Sequence, residues 1–465
     1  MFGLFNKYIG DRSFYKKVLT VAVPIVIQNG ISNFVSLLDN IMIGRVGTEP
    51  MSGVGIVNQL LFVLYLALFG ALAGPGIFGA QFYGKGDHDG VRHTFRFKLY
   101  IGIFIVCAGI GTLLLYGEPL LTLYLHDSVD STQSPAFVMR YGREYLVVML
   151  IGLVPFALEE VYASTLRECG ETRVPMIAGL VAVFVNLALN YLLIFGKYGF
   201  PRLGVTGAAI ATVISRFVQA AIVIVWTHLH TQLMRWAQGL YRSFTIPLYL
   251  TGKIAIKGCP LMFNEILWSV GMAFLNQCYS RRGLDAVAGI NISSTINNLF
   301  NVVFIAMGSA IAIMVGQLLG AGKLEEARDT DRKLIFASVV SSAVLGAILY
   351  GLAPAFLLFY DTTDEVRRLA IGFIRICAVC MPLYAFMHAA YFTLRTGGKT
   401  FITFAFDSLF LWCLSVPLGH LLATRTNLPV LTFYLCMQSV DLIKCAIGFA
   451  LVKKGVWVQN LVKEE

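Results

Sequence analysis

The sequence predicts an all-α integral membrane protein with twelve transmembrane helices in two six-helix lobes, related by a parallel internal repeat. Of its 465 residues, 57% are hydrophobic and only 13% are charged, and the mean hydropathy is +0.74. A soluble domain is about a quarter charged and less than half apolar. Two further observations support the same fold class: twelve apolar runs of membrane-spanning length, and the recurrence of the first half of the sequence in the second.

The apolar runs are each near or above the roughly 20 residues that a helix needs to cross a bilayer. Taken in order, they predict transmembrane helices at 18–44, 54–80, 97–121, 137–164, 174–196, 204–229, 253–280, 288–319, 334–358, 366–394, 401–423 and 429–452.

The Lys and Arg residues between these runs and near their ends are distributed unequally on the two sides of the membrane. One side, which includes both termini, carries 23 of them and the other carries 10. Because basic residues are enriched in cytoplasmic loops, this bias places both termini in the cytoplasm. We interpret the chain as a multi-pass protein of a bacterial plasma membrane.

The internal repeat has a constant offset of 236 residues over its first part and 228 further on. Both copies begin on the same side of the membrane, so the repeat is parallel, with an axis along the membrane normal. It predicts an N-terminal lobe at 1–229, a cytoplasmic linker at 230–252 that lies at the interface around Trp236, and a C-terminal lobe at 253–465. The matched pairs include Pro24 and Pro260, Asn40 and Asn276, Gln81 and Gln317, Gly84 and Gly320, and Arg167 and Arg395.

The net charge of +10 does not indicate nucleic-acid binding, because the basic residues are dispersed among the segment ends and form almost no continuous run. The chain lacks the sequence spacing of a His/Asp metal site, a nucleophile elbow and a phosphate-binding loop, so an enzyme embedded in the membrane is disfavoured. We expect no cofactor and no firmly bound metal, and a monomer whose partners are membrane lipid and small organic molecules.

Several segments resemble the MATE (multidrug and toxic compound extrusion) family. They are PIVIQNGISNFVSLLDNIMIGRVG, TLRECGETRVP, NLALNYLLIFGKYGFPRLGVTGAAIATVIS, CPLMFNEILWSVG and KKGVWVQNL, and they span nearly the whole chain in the order found in the family. The resemblance implies a two-lobe exporter that exchanges H⁺ or Na⁺ for organic, often cationic, compounds. Two lobes around a central cavity suit alternating access.

Polar residues present in one copy of the repeat and apolar in the other need a reason of their own, because each adds a burial cost that its counterpart avoids. Asp39 corresponds to Leu275, while Asn186 and Asn190 correspond to leucines 414 and 418. Carboxylate, amide and hydroxyl oxygens are ligands for small hard cations. We therefore predict a cation-coupling site formed by Asp39, Asn186, Asn190 and Thr212, where Na⁺ is possible at Asp39. The alternative is a hydrogen-bonded network that holds no ion.

The resemblance supports this site in part. Asp39 and Asn186 match family positions implicated in cation coupling, but many relatives have Asp where this chain has Asn190, which puts Na⁺ binding in doubt. Other relatives pair an acid of helix seven with one of helix ten. Glu265 matches the first, whereas helix ten offers Tyr384 and His388 and no carboxylate at this place.

A lone acid with aromatic neighbours can hold an organic cation by charge and cation–π contact. We therefore predict substrate binding at Glu265, with Asn264, Trp268, Tyr384 and His388. The alternatives are a Glu bonded to a neighbouring helix and an interior hydrogen-bonded His.

Other polar residues inside the spans have simpler interpretations. Solvation or pairing with Arg167 is expected for Glu159 and Glu160. Asp407, and Asp441 with Lys444, are expected to make structural contacts.

The function expected from these observations is a multidrug antiporter that is coupled to H⁺ or Na⁺ and exports cationic or amphipathic compounds by alternating access. The alternative is a lipid-linked saccharide flippase of the same superfamily. A flippase favours several basic residues for pyrophosphate, but only Arg216, Arg375 and Lys444 lie well inside the predicted spans, away from their ends.

Overall fold

The computed structural model describes residues 7–128, 134–360 and 362–463. Within them, twelve helices are long and apolar enough to cross a membrane, and no β-strand occurs, so the predicted all-α membrane fold is confirmed. The helices are α1 (Arg12–Gly44), α2 (Thr48–Lys85), α3 (His88–Ser128), α4 (Pro135–Glu168), α5 (Arg173–Phe195), α6 (Gly204–Leu229), α7 (Leu248–Ser280), α8 (Leu284–Gly320), α9 (Leu324–Phe356), α10 (Asp364–Thr396), α11 (Thr400–Arg425) and α12 (Val430–Lys454).

Each predicted apolar run coincides with one of these helices, but several helices are longer than the run. The run predicted to begin at residue 97 lies in α3, which begins at His88. Apolar composition marks only the part that contacts lipid, whereas the backbone hydrogen bonds of a helix continue into its polar end. The start of α10 is capped by a side chain: the Thr363 hydroxyl accepts a hydrogen bond from the Val366 amide.

The internal repeat is visible in the helix boundaries. α1 and α7 begin 236 residues apart, at Arg12 and Leu248, and the starts of α2 and α8 and of α3 and α9 have the same separation. The ends of α4 and α10, at Glu168 and Thr396, are 228 apart. Each half therefore supplies six helices in the same order.

By packing, the described chain forms two compact units. One comprises the chain up to Val26, Ala80–Asp87 and the residues from Ile254 onward, and one of its apolar cores includes Val21, Ile311 and Trp457. The other comprises Ile27–Gly79 and His88–Lys253. The division into lobes at residues 229 and 253 stays a prediction.

The second unit contains a buried ion pair between α3 and α4. The Lys98 side chain is fully buried, its ammonium lies 2.6 Å from Glu168 Oε1, and it also donates to the Ser164 and Thr165 hydroxyls. Glycine in α2 makes the room for the carboxylate, since a Cβ at Gly79 would lie 2.3 Å from Glu168 Oε2. Pairing and hydrogen bonding offset the desolvation of the two charges.

The segment between α6 and α7 is held by side chains of α3. Arg96 donates to the carbonyls of Leu240 and Thr245, and the Tyr100 hydroxyl donates to the Phe244 carbonyl at 2.6 Å. Apart from one 3₁₀ turn, Arg235–Ala237, the segment is irregular. Trp236 is fully buried against Phe95, with ring centroids 5.2 Å apart. The position of the segment at the membrane interface stays a prediction.

Helices α11 and α12 are irregular near their centres. α11 contains two π-helical segments, Ala405–Leu409 and Leu411–Ser415, and α12 is interrupted at Val440. Segments of π-helix are rare and occur frequently at functional sites. Asp407 and Ser408 both lie in the first of them.

Candidate cation and substrate sites

A polar cavity of about 220 Å³ lies inside the second unit, among α1, α4, α5 and α6. Three of these helices supply the predicted coupling residues: α1 carries Asp39, α5 carries Asn186 and Asn190, and α6 carries Thr212. The residues that line the cavity are Gln28, Ser32, Val35, Ser36, Asp39, Phe156, Glu159, Glu160, Gly179, Ala182, Val183, Asn186, Thr212, Ser215, Arg216 and Gln219.

Asp39 is half-buried in this cavity and bonded to α5. The Asn190 amide nitrogen donates to Asp39 Oδ1 at 2.7 Å, and the Asn190 side chain is almost fully buried. Its amide oxygen has no hydrogen-bond partner within the described part of the chain. A buried acceptor without a donor is costly unless a proton-bearing group or a cation reaches it.

Asn186 connects Asp39 to α6. Its amide orientation is assigned from its neighbours: the nitrogen faces Asp39, 3.0 Å from Oδ1 and 3.3 Å from Oδ2, and the oxygen accepts from the Thr212 hydroxyl at 3.2 Å. Asp39 thus accepts from two amides of α5. The structure brings all four predicted coupling residues together, while their role in coupling stays a prediction.

The oxygen atoms at this place fit a small cation in chemical type, since they come from one carboxylate, one unpartnered amide and one hydroxyl. The single carboxylate, however, supplies only one negative charge. Among the described residues, no group of three or more His, Cys, Asp or Glu side chains is arranged to hold a metal ion.

Two further acidic side chains, Glu159 and Glu160, line the cavity. Glu160 pairs with Arg167 at 2.6 Å, as expected, but Glu159 does not. Glu159 is 3% exposed, and its Oε1 atom has no hydrogen-bond partner in the described residues. The Arg216 guanidinium lies over the Phe156 ring, 4.6 Å from its centroid. Only the tertiary packing reveals that Glu159 and Asp39 line one cavity.

In the first unit, Glu265 is part of a chain of polar contacts across four helices. The Tyr391 hydroxyl donates to Glu265 Oε1 at 2.9 Å, and Asn264 Nδ2 donates to both Tyr391 Oη and Asp407 Oδ2, at 3.3 and 3.0 Å. Asp407 Oδ1 lies 2.6 Å from Lys444 Nζ. The expected structural contact of Asp407 is confirmed, and its partners are Asn264 and Lys444.

Three of the predicted substrate residues, Asn264, Tyr384 and Trp268, have partners other than Glu265 in the structure. Asn264 is almost fully buried and also accepts from Ser408, so its side chain is occupied by contacts to α11. The Tyr384 hydroxyl donates to Gln438 of α12, and Trp268 packs against an apolar cluster that includes Leu411.

His388 packs among aromatic rings, near the far end of the same polar chain. Its ring lies 4.9 Å from Phe392 and 5.5 Å from Phe304, and its Nε2 atom has no partner among the described atoms. Tyr391, which the sequence interpretation missed, bonds Glu265 directly. Its position three residues after His388 is the only signal that could have indicated it.

The sequence profile of the MatE family matches residues 24–192 and 260–421, a part in each half of the chain. The chain belongs to the MatE family.

Similar proteins cover almost the whole chain. A protein named probable multidrug resistance protein NorM, from Thermotoga maritima, is 25% identical over 99% of this chain and 97% of its own length. A protein of the same name from Halalkalibacterium halodurans is 26% identical over 94% and 93%. The crystal structure of a Vibrio cholerae MATE transporter variant, 20% identical, has a TM-score of 0.85 over 97% of this chain and 98% of its own. This MatE chain thus has the fold of solved MATE structures and is a multi-pass membrane protein.

Proposed function

We propose that this MatE protein exports organic compounds, cationic or amphipathic, in exchange for a cation, by alternating access. The observation that carries the proposal is the position of Asp39: one carboxylate on a transmembrane helix, lining a polar cavity, with two amides directed at it. An acid in a membrane span is expensive to bury and is retained for function. The names of the relatives from Thermotoga and Halalkalibacterium support efflux of drugs.

The coupling ion is H⁺ or Na⁺, and the residues around Asp39 favour H⁺. A carboxylate needs only one free lone pair to take up a proton, whereas a metal ion requires several oxygen ligands and compensating charge. Asn190 is neutral, and the cavity also contains the positive charge of Arg216. Both features disfavour the binding of Na⁺ beside Asp39.

Binding of an organic cation is assigned to Glu265 in the other unit. Its carboxylate is held by Tyr391, and the aromatic rings of Tyr391, Phe392 and Phe304 surround the adjacent His388. A charge beside several aromatic faces suits flat cationic compounds. The polar cavity of the second unit is lined by three acids and one arginine. This excess of acids also favours a positively charged substrate over a pyrophosphate-linked one.

The test is reconstitution of the purified protein in liposomes, with a proton gradient or a sodium gradient imposed separately and ethidium efflux followed by fluorescence. We expect efflux with the proton gradient alone. Asp39→Asn removes the titratable carboxyl with little change in size and is expected to abolish efflux at a normal protein level. Asp285→Asn, which changes an exposed Asp at the start of α8, serves as the matched control.

Two results would refute the proposal. If neither gradient drives efflux of any compound from a panel of organic cations, the protein is not an exporter of this class. If Asp39→Asn transports at the rate of the Asp285→Asn control, Asp39 is not the coupling residue. Efflux driven only by sodium would retain the function and change the ion.

A further inference from the structure

Glu159 is a buried acid with an unused acceptor atom. It lies in α4, is 3% exposed, and has no hydrogen-bond partner for Oε1 among the described residues. The adjacent acid, Glu160, has a partner in Arg167 at 2.6 Å. Burying a carboxyl oxygen without a donor costs free energy that a structural role does not explain. A proton on Oε1, or water that enters the cavity, satisfies this atom.

Glu159 and Asp39 open into the same cavity but lie at different depths. Asp39 is linked through Asn186 to Thr212 of α6, and Glu159 faces Gln219 of the same helix. Thr212 and Gln219 are seven residues apart on α6, which corresponds to about 10 Å along the helix axis. On the predicted topology α6 runs toward the cytoplasm, which places Glu159 on the cytoplasmic side of Asp39.

We propose that Glu159 is a second proton-binding site, which receives the coupling proton that Asp39 releases and passes it to the cytoplasm. The inference depends on the proposed cation-coupled export. In the transfer, the O–H bond of the Asp39 carboxyl breaks and an O–H bond forms on Glu159, with water in the cavity carrying the proton over the intervening distance. Glu159 is restored to its ionised form when its proton leaves to cytoplasmic water.

The surroundings of Glu159 select a proton over other cations. Its burial leaves no room for an organic cation, whereas a proton needs only one accessible lone pair. The charged groups that face it are Glu160 and Arg167 on α4 and Arg216 on α6. Of these, Glu160 and Arg167 neutralise each other, and Arg216 repels a metal ion. Lys98, on the adjoining helix α3, is already paired with Glu168.

The test uses Glu159→Gln in the full-length protein in liposomes, with two measurements on the same preparation. Proton-driven ethidium efflux requires net proton movement, whereas exchange of labelled for unlabelled substrate at equal pH does not. We expect the efflux rate to fall at least tenfold while exchange stays within twofold of the unmodified protein. Glu159→Asp, which retains a carboxyl, should recover part of the efflux. Glu144→Gln, an exposed acid of the same helix paired with Arg140, is the control.

Efflux by Glu159→Gln at the unmodified rate and with the same pH profile would overturn the inference, as would equal loss of efflux and exchange in a folded variant. If neither variant at Glu159 folds, infrared difference spectra of Asp39→Asn between high and low pH decide. A protonated-carboxyl band that persists in Asp39→Asn and also in Asp39→Asn/Glu265→Gln supports Glu159, and no remaining band overturns it. If the unmodified protein does not transport, the proposed function is wrong. The infrared measurement still decides whether Glu159 binds a proton.

Discussion

Gly84 of α2 and Gly320 of α8 occupy equivalent positions of the repeat and pack against each other's helix. A Cβ atom at Gly84 would lie 1.9 Å from the Gln317 carbonyl oxygen, and one at Gly320 would lie 1.9 Å from that of Gln81. The two contacts are reciprocal, as they must be when two copies of one segment cross about a two-fold axis. Each glycine allows the backbone of the other copy to approach.

Gly320→Ala is therefore expected to destabilise the protein. The added methyl group meets a backbone oxygen, which cannot move aside as a flexible side chain can, and overpacking of this kind costs about 1–3 kcal/mol or more. The melting temperature of the purified protein in detergent measures the effect. Gly351→Ala, where nothing lies within 4 Å of the new Cβ, is the control and should be neutral or slightly stabilising. Equal melting temperatures for the two variants would contradict the packing argument.

Asn190→Asp is expected to create a sodium site. The new carboxylate would face Asp39 where the Asn190 amide now donates at 2.7 Å. Two ionised carboxylates so close repel each other unless a proton or a metal ion lies between them. We predict that the melting temperature of this variant is several degrees higher in Na⁺ than in K⁺. The same difference between the two salts should be smaller in the unmodified protein. Asn291→Asp, an exposed position of α8, controls for added charge. No difference between the two salts would contradict the prediction.

Loss of one partner of the Asp407–Lys444 ion pair is expected to destabilise the protein more than loss of both partners. The two side chains are 15% and 14% exposed, so Lys444→Met leaves a mostly buried carboxylate without its counter-charge. Breaking such a pair costs about 3–5 kcal/mol, and replacing both partners restores much of the loss. The double variant Asp407→Asn/Lys444→Met should thus be more stable in detergent than Lys444→Met alone. The exposed pair Asp364–Arg367 is the comparison, where about 0–1 kcal/mol is expected. Additive losses at Asp407 and Lys444 would show that they do not interact.

Arg96→Met is expected to release the segment between α6 and α7. Arg96 donates three hydrogen bonds to the carbonyls of Leu240 and Thr245, and Met keeps an unbranched apolar stem without the donors. Trypsin should then cut at Arg235 or Arg242 at least tenfold faster, which gel electrophoresis of the two fragments measures. Arg140→Met, an exposed residue of α4, should be cut at the rate of the unmodified protein. Unchanged cleavage in Arg96→Met would show that the segment is held by other contacts, such as those of the buried Trp236.

Much of the architecture could be predicted from the sequence, because a bilayer constrains length and composition strongly. The twelve runs and the offset of 236 both correspond to helices of the structure. Three of the four candidate coupling residues, Asp39, Asn186 and Asn190, were also predictable as a group, since a polar residue whose repeat counterpart is a leucine stands out. By contrast, Asn264 precedes Glu265 in the sequence and was grouped with it, yet its side chain donates a hydrogen bond to Asp407 of α11. The sequence around Asn264 does not indicate that contact.

By itself, the sequence determined the number of spans, the duplication and the presence of a costly acid in α1, because hydropathy and helical spacing are properties of one segment at a time. Only the tertiary structure decided which polar groups share a cavity. Glu159 and Asp39 lie on different helices, 120 positions apart in the chain, and meet the same space only because α1, α4, α5 and α6 pack around it. Helical periodicity specifies the face on which a side chain lies, whereas its neighbours depend on how helices distant in sequence pack.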